Sequence, residues 1–309
     1  MSGPRDLGWL GVVIAVLGGA LRISTPYLLV SLAETLTEKS GRINIGLEGT
    51  LVMGAMSGYA IAYLTGSPWL GVMVAALCGI LLGLLHAAMC NLPRVNDIAV
   101  GIALFIFGTG LAIFLGKPFV EPKAPRLPSL GFGGWSGTPA VQAALDISPL
   151  FLAGLAAAIL MRWFLANTRA GLIVRAAGDN AEAARAAGYS VNLVRTLATG
   201  SGGLFAAVGG AFLSLFYPGT WAEGLSSGQG LMAVTLVIFA RWNPVNCFYV
   251  SLLFGGASAL GPALQTIGIS GYYYLFGAGP YVLTFGLLIA SSSRKRRLVN
   301  APGELSIYR

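Results

Sequence analysis

Charge is scarce in this sequence. Lys, Arg, Asp and Glu make up 10% of its 309 residues, where an ordinary soluble domain carries about 25%. So thin a polar coat excludes a water-soluble enzyme or regulator. Histidine occurs once, at His86, and cysteine three times, at Cys78, Cys90 and Cys247, each inside an apolar run with no CxxC spacing. Neither a zinc site nor a disulfide scaffold can be built from that set, and the cysteines read as small buried hydrophobes. One histidine among scattered acids forms no catalytic triad and no HExxH metal motif, so no catalytic residue and no metal site are assigned. The P-loop pattern G-x-x-x-x-G-K-[ST] is missing too, and the chain does not itself cradle nucleotide phosphates.

What is abundant is apolar. Hydrophobic residues are 56% of the chain and the mean hydropathy is +0.77. A membrane crossing takes about 20 mainly apolar residues, and ten candidate stretches emerge. They run from Leu7 to Leu21, Pro26 to Thr37, Thr50 to Leu64, Leu70 to Met89, Ile98 to Leu115, Ser148 to Phe164, Leu197 to Phe216, Gln229 to Phe239, Asn246 to Leu260 and Leu275 to Ile289. The second and eighth are short enough to be re-entrant or broken helices held inside a bundle. The expected fold class is therefore an all-α polytopic membrane protein of about ten transmembrane helices, some short or broken, in one domain over residues 1–309.

The net charge of +8 is explained by topology. If all ten stretches cross, one side of the membrane collects fifteen Lys and Arg, from Arg5 and Lys39 to Arg294–Arg297 and Arg309, while the other holds Arg22, Lys117, Lys123 and Arg126. By the positive-inside bias the richer side is cytoplasmic and both termini lie there. The basic tail over 293–309 is then a stop at the headgroups with attraction to anionic lipid, not a nucleic-acid site. The 44 glycines suit close helix crossings in lipid. Gly79 with Gly83, and the Gly202, Gly203, Gly209 and Gly210 series, are the candidates.

Two hydrophilic segments interrupt the spans. The external loop, 117–147, holds five prolines and is expected to be extended, without helix, and folded over the outer face, with Trp135 at the headgroups. The cytoplasmic segment, 167–195, contains a Gly-Asp-Asn turn followed by Ala181–Ala187. That pattern predicts a short helix with Asp179 or Asn180 as N-cap, Glu182 favouring its positive end and Gly188 ending it. It is either a mechanical handle for a soluble partner or a solvated connection. Polar groups at membrane depth are functional candidates by default: Glu34, Asn44 and Glu48, with Gln229 at the start of the eighth stretch. Glu34 and Glu38 share one helix face, and pairing with Lys39 or Arg42 is the structural alternative. Tyr59, Phe105 and Tyr217 could line a pathway or simply pack.

Four blocks carry a resemblance. TPYLLVSLAETLTEKSGRINIGLEGTLVMGAMSGY, NLPRVNDIAVGIALFIFGTGLAIFLGK, TRAGLIVRAAGDNAEAARAAGYSV and SGQGLMAVTLVIFARWNPVNCFYVSLLFGGASAL resemble, in that order, segments of the permease subunits of bacterial nucleoside ABC importers. That family belongs to the superfamily that also moves simple sugars and branched-chain amino acids. The likeness runs from about Thr25 to Ile289. Lys39 stands where the pattern leads one to expect arginine, and Asp97 where it leads one to expect glutamine.

The resemblance implies an ABC importer permease fold and one half of a translocation pathway for nucleosides, with a simple sugar or polyol as the alternative cargo. A gradient-driven carrier using Glu34 and Glu48 is a more remote reading. It further implies that Arg175, Gly178, Asp179, Asn180, Ala184 and Gly188, together with Glu182, couple the chain to an ATPase. No cofactor is expected on this chain, since ATP and magnesium would sit on that ATPase. The other implied partners are a second, non-identical permease, an extracytoplasmic substrate-binding protein and membrane lipid, in a bacterial inner membrane.

Overall fold

The computed structural model describes residues 8–265, 267–268, 276–291 and 301–308. The first two apolar stretches are one helix, α1 (Gly8–Lys39), which continues through Pro26. Proline removes the hydrogen bond to the carbonyl four residues back, here that of Arg22. One residue earlier the Ser24 and Thr25 hydroxyls both donate to the Leu21 carbonyl at 3.1 Å. At 32 residues α1 is about 48 Å long, against about 30 Å of hydrocarbon.

Then come α2 (Leu47–Thr65), α3 (Pro68–Cys90) and α4 (Asp97–Gly116). A loop follows, carrying a short helix α5 (Pro139–Ala144) and a two-residue antiparallel ladder, β1 (Leu130–Gly131) with β2 (Asp146–Ile147). Then α6 (Pro149–Asn167), α7 (Arg169–Asp179), α8 (Ala181–Ala186), α9 (Val191–Leu215), α10 (Gln229–Ala240), α11 (Pro244–Gln265) and α12 (Gly279–Ser291) follow among the described residues. A 3-10 turn, Gly303–Tyr308, follows. Among the described residues six helices, α1, α3, α4, α6, α9 and α11, are long and apolar enough to cross a membrane.

Among the described residues the first two expected crossings are thus one helix, and α10 and α12 are short. Near its middle α1 passes the α5 face, where the Arg22 guanidinium donates to the Ala143 carbonyl, and it finishes beside Gly178 of α7. Arg5 and the basic run Arg294–Arg297 lie outside the described residues. α5 is a second correction, because Pro139 opens it at a helix position that needs no N–H donor and is compatible with the helix that the prolines were expected to forbid.

α9 and α2 are buried along most of their length. α3, α4 and α6 turn Met73, Leu81, Ile106, Phe114 and Ile159 outward, as lipid-facing helices do. Glycine sets close crossings. The backbones of α3 and α9 meet at Gly79 and Gly203, where a Cβ on either would fall on the other's carbonyl oxygen. In lipid that close approach is what drives helix association.

Candidate functional site

At the end of α6 the Thr168 hydroxyl accepts from Gly171 N at 2.9 Å, turning the chain into α7. Asn180, not Asp179, caps α8, its side chain accepting from Ala183 N at 2.9 Å. Gly188 sits at φ +86, and its N–H donates to the Arg185 carbonyl at 2.9 Å, closing the short helix as the sequence pattern predicts. The unit is seated by small residues: Ala177, Ala181 and Ala184 pack on Val191, and Gly178 is buried against the end of α1. A Cβ on Gly178 would run into the Lys39 carbonyl. Asp179, Asn180, Glu182 and Gly188 remain exposed. Arg175 is half-buried and shares a pocket of about 140 Å³ with Lys39, Arg162 and Trp242.

Two residues that the sequence did not single out complete this face. Arg195 of α9 is 7% exposed. Its Nε donates to the Ser40 carbonyl at 3.0 Å and its terminal nitrogen to the Ala177 carbonyl at 3.3 Å. The same nitrogen meets Glu304 at 3.2 Å, and the other Glu304 oxygen accepts from Ala181 N at 3.0 Å. In sequence Arg195 is one more basic residue on a charged side and Glu304 is an isolated acid, so no local pattern marks either.

Inside the bundle the buried carboxylates are hydrogen-bonded. Glu34 Oε1 accepts from Asn44 N at 2.8 Å, and Glu38 accepts from the Trp242 indole N–H. Arg42 instead forms an ion pair with Asp97 at 2.6 Å and donates to the Cys90 carbonyl at 2.6 Å. Asp97, fully buried, therefore ties the α1–α2 turn to the α3–α4 turn. His86 is fully buried on α3.

Glu48, near the start of α2, binds the beginning of α10. Its Oε2 accepts from Gly230 N at 2.6 Å and Leu231 N at 3.1 Å, while Ser226 Oγ donates to its Oε1 at 2.6 Å. A carboxylate at a helix N-terminus satisfies orphan donors and meets the positive end of the dipole. α10 has 12 residues, about 18 Å, and ends where Trp242 meets Glu38. Its N-terminus thus lies inside the bundle, making it a half-helix of the kind that lines cavities in transporters. Gln229, with its Oε1 buried, stands beside this contact.

The other pathway candidates lie apart from it. Tyr59 is locked to the loop: its hydroxyl donates to the Pro122 carbonyl at 2.8 Å and accepts from Ala124 N at 3.2 Å. Phe105 is half-buried on α4, its backbone against Gly49. Tyr217 lines a cleft of about 760 Å³ at the α5 face with Arg22, Arg126, Asp146 and Ser227. Trp221 is a packed indole, donating to the Gly116 carbonyl at 3.0 Å. Trp135 is 79% exposed. The run Gly224–Gly228 reads G-L-S-S-G, a spacing also used by nucleophile elbows. It follows a helix instead of a strand, and its central Ser226 is bonded to Glu48, so the context that motif requires is missing.

Residues 7–291 match the family described as "Branched-chain amino acid transport system / permease component", and the chain belongs to that family. It is 33% identical to a putative glucose ABC transporter permease protein of Haloferax volcanii, covering 82% of this chain and 79% of that one. It is 30% identical to a nucleoside ABC transporter permease protein of Lactococcus lactis, covering 88% and 90%. A guanosine ABC transporter permease protein of Bacillus subtilis is 27% identical, covering 88% and 90%. The chain is a multi-pass membrane protein and a non-catalytic ABC transporter permease component, whose family works with separate ATPase and substrate-binding subunits.

Proposed function

We propose that this chain forms half of the translocation pathway of an ATP-driven nucleoside importer in a bacterial inner membrane. In this reading α7 and α8 are the handle gripped by the ATPase. The observation that carries it is the seating of Gly178 on the Lys39 carbonyl. Through that contact a push on α8 reaches the end of α1 with no compliant side chain between, and α1 in turn carries Glu34 and Glu38. The exposed Asp179, Asn180, Glu182 and Gly188 face the partner, while Arg175 and Ala184 hold the handle to the bundle. An ATPase that binds one arrangement of this face more tightly than another shifts the permease between states. ATP and magnesium stay on that subunit. The α8 face is the cytoplasmic one, the remaining half of the pathway comes from a second, non-identical permease, and the binding protein delivers cargo to the α5 face.

Nucleoside is favoured as cargo by the relatives whose full length this chain spans best, the nucleoside and guanosine permeases. A simple sugar is the second reading, favoured by the glucose permease at 33% identity. Purifying the substrate-binding protein encoded with this chain and identifying its retained ligand separates them. A nucleoside supports the first, and a free sugar moves the assignment to the second.

A further inference from the structure

The described segment after the last helix bears on the handle. Glu304 bonds at once to the first amide of α8, Ala181 N, and to Arg195. Arg195, itself almost fully buried, reaches the Ser40 carbonyl just past α1 and the Ala177 carbonyl in α7. The neighbouring backbone is equally close: a Cβ on Gly303 would meet the Asp179 carbonyl, and one on Gly41 would lie 3.2 Å from the Glu304 Cβ. A single carboxylate therefore joins α8, α7, the α1–α2 turn and α9.

We propose that Glu304 is a positioning residue for coupling: through Ala181 and Arg195 it fixes α8 to the α1–α2 turn, so that motion imposed on the handle moves α1 instead of being lost in a hinge at Asn180. The inference rests on the ATPase-docking reading of α7 and α8. Two consequences are chemical. The bond to Ala181 N needs only an oxygen acceptor, which Gln supplies, whereas Ala supplies none. Arg195, when its carboxylate partner is removed, keeps its two carbonyl acceptors, so the fold of the face does not depend on Glu304 alone.

The test uses the complete importer, both permeases, ATPase and binding protein, in proteoliposomes, with wild type, Glu304→Gln and Glu304→Ala compared for ATP hydrolysed per substrate moved. The expected result for Glu304→Ala is a ratio raised roughly fivefold, the lower end of ordinary coupling strengths, with the ATPase still copurifying. Amide exchange at Ala181 is expected to be about tenfold faster, as for loss of one charged hydrogen bond. Glu304→Gln is expected to restore most of both. An unchanged ratio with accelerated exchange overturns the proposal, since α8 would then be loosened without consequence. Loss of ATPase binding in Glu304→Ala with a normal ratio in Glu304→Gln reassigns Glu304 to docking and also overturns it. Wild-type uptake without ATP contradicts the docking reading itself, and is distinguished by appearing before any substitution is made.

Discussion

Glu48 and Gly230 are joined across the bundle by a 2.6 Å hydrogen bond from the Gly230 amide to the Glu48 carboxylate. Glu48 belongs to α2 and Gly230 opens the half-helix α10, so this contact fixes where α10 begins at membrane depth. With Leu231 N and Ser226 Oγ also donating, one carboxylate satisfies three buried donors.

Glu48→Ala should leave those donors unsatisfied at a cost of about 1–3 kcal/mol for each that water cannot reach. The expected outcome is a lowered melting temperature in detergent and loss of uptake. Glu48→Gln keeps one acceptor oxygen for the Gly230 and Leu231 amides and turns an NH2 donor to the Ser226 hydroxyl, which can accept, so it should recover part of the thermal stability. Thermal unfolding of the purified variants reads both.

Gly178→Ala should abolish coupled uptake, because its Cβ has no room beside the Lys39 carbonyl and the end of α7 must move away from α1. Membrane insertion and expression are expected to persist, since α7 lies outside the six long apolar helices. Transport assays beside membrane-fraction blots check the two halves. Unchanged transport counts against the seating argument.

How much of this face was legible beforehand differs by residue. The α8 helix and its cap follow from local chemistry: Asn180, Glu182 and Gly188 are a start, a charge preference and a stop, all within nine residues. The half-helix was legible from the glycines around Gln229. The continuity of α1 was not, because Arg22 and Pro26 look like a break when the α5 loop that Arg22 meets is unseen. Glu48 was flagged as a polar group at depth, but its partners Ser226 and Gly230 are some 180 positions away and no period connects them. Asp97, a departure from the family pattern, proves to be the mate of Arg42 and not a pathway group.

Breaking the buried Arg42–Asp97 pair from one side should cost about 3–5 kcal/mol, because the surviving charge is left uncompensated. Asp97→Ala and Arg42→Ala are each expected to reduce the yield of folded protein. The paired replacement Arg42→Met with Asp97→Leu should recover much of it. Fluorescence-detected size exclusion of the four forms measures the recovery.

Tyr59→Phe removes the hydroxyl that bonds the Pro122 carbonyl and Ala124 N while leaving the ring packed. A loss of about 1 kcal/mol is expected, confined to the loop, with faster protease cleavage between Lys117 and Arg126. Uptake is expected to change far less than in Glu48→Ala, as Tyr59 anchors the loop instead of meeting cargo.

The most direct measurement of the central claim is uptake of radiolabelled guanosine and glucose by the reconstituted importer, with ATP sealed inside the vesicle lumen that faces the α8 side or left out. The account predicts that guanosine accumulates only when ATP is present on that side, and that glucose does not compete. Accumulation driven by a cation gradient without ATP, or glucose moving while guanosine does not, contradicts it.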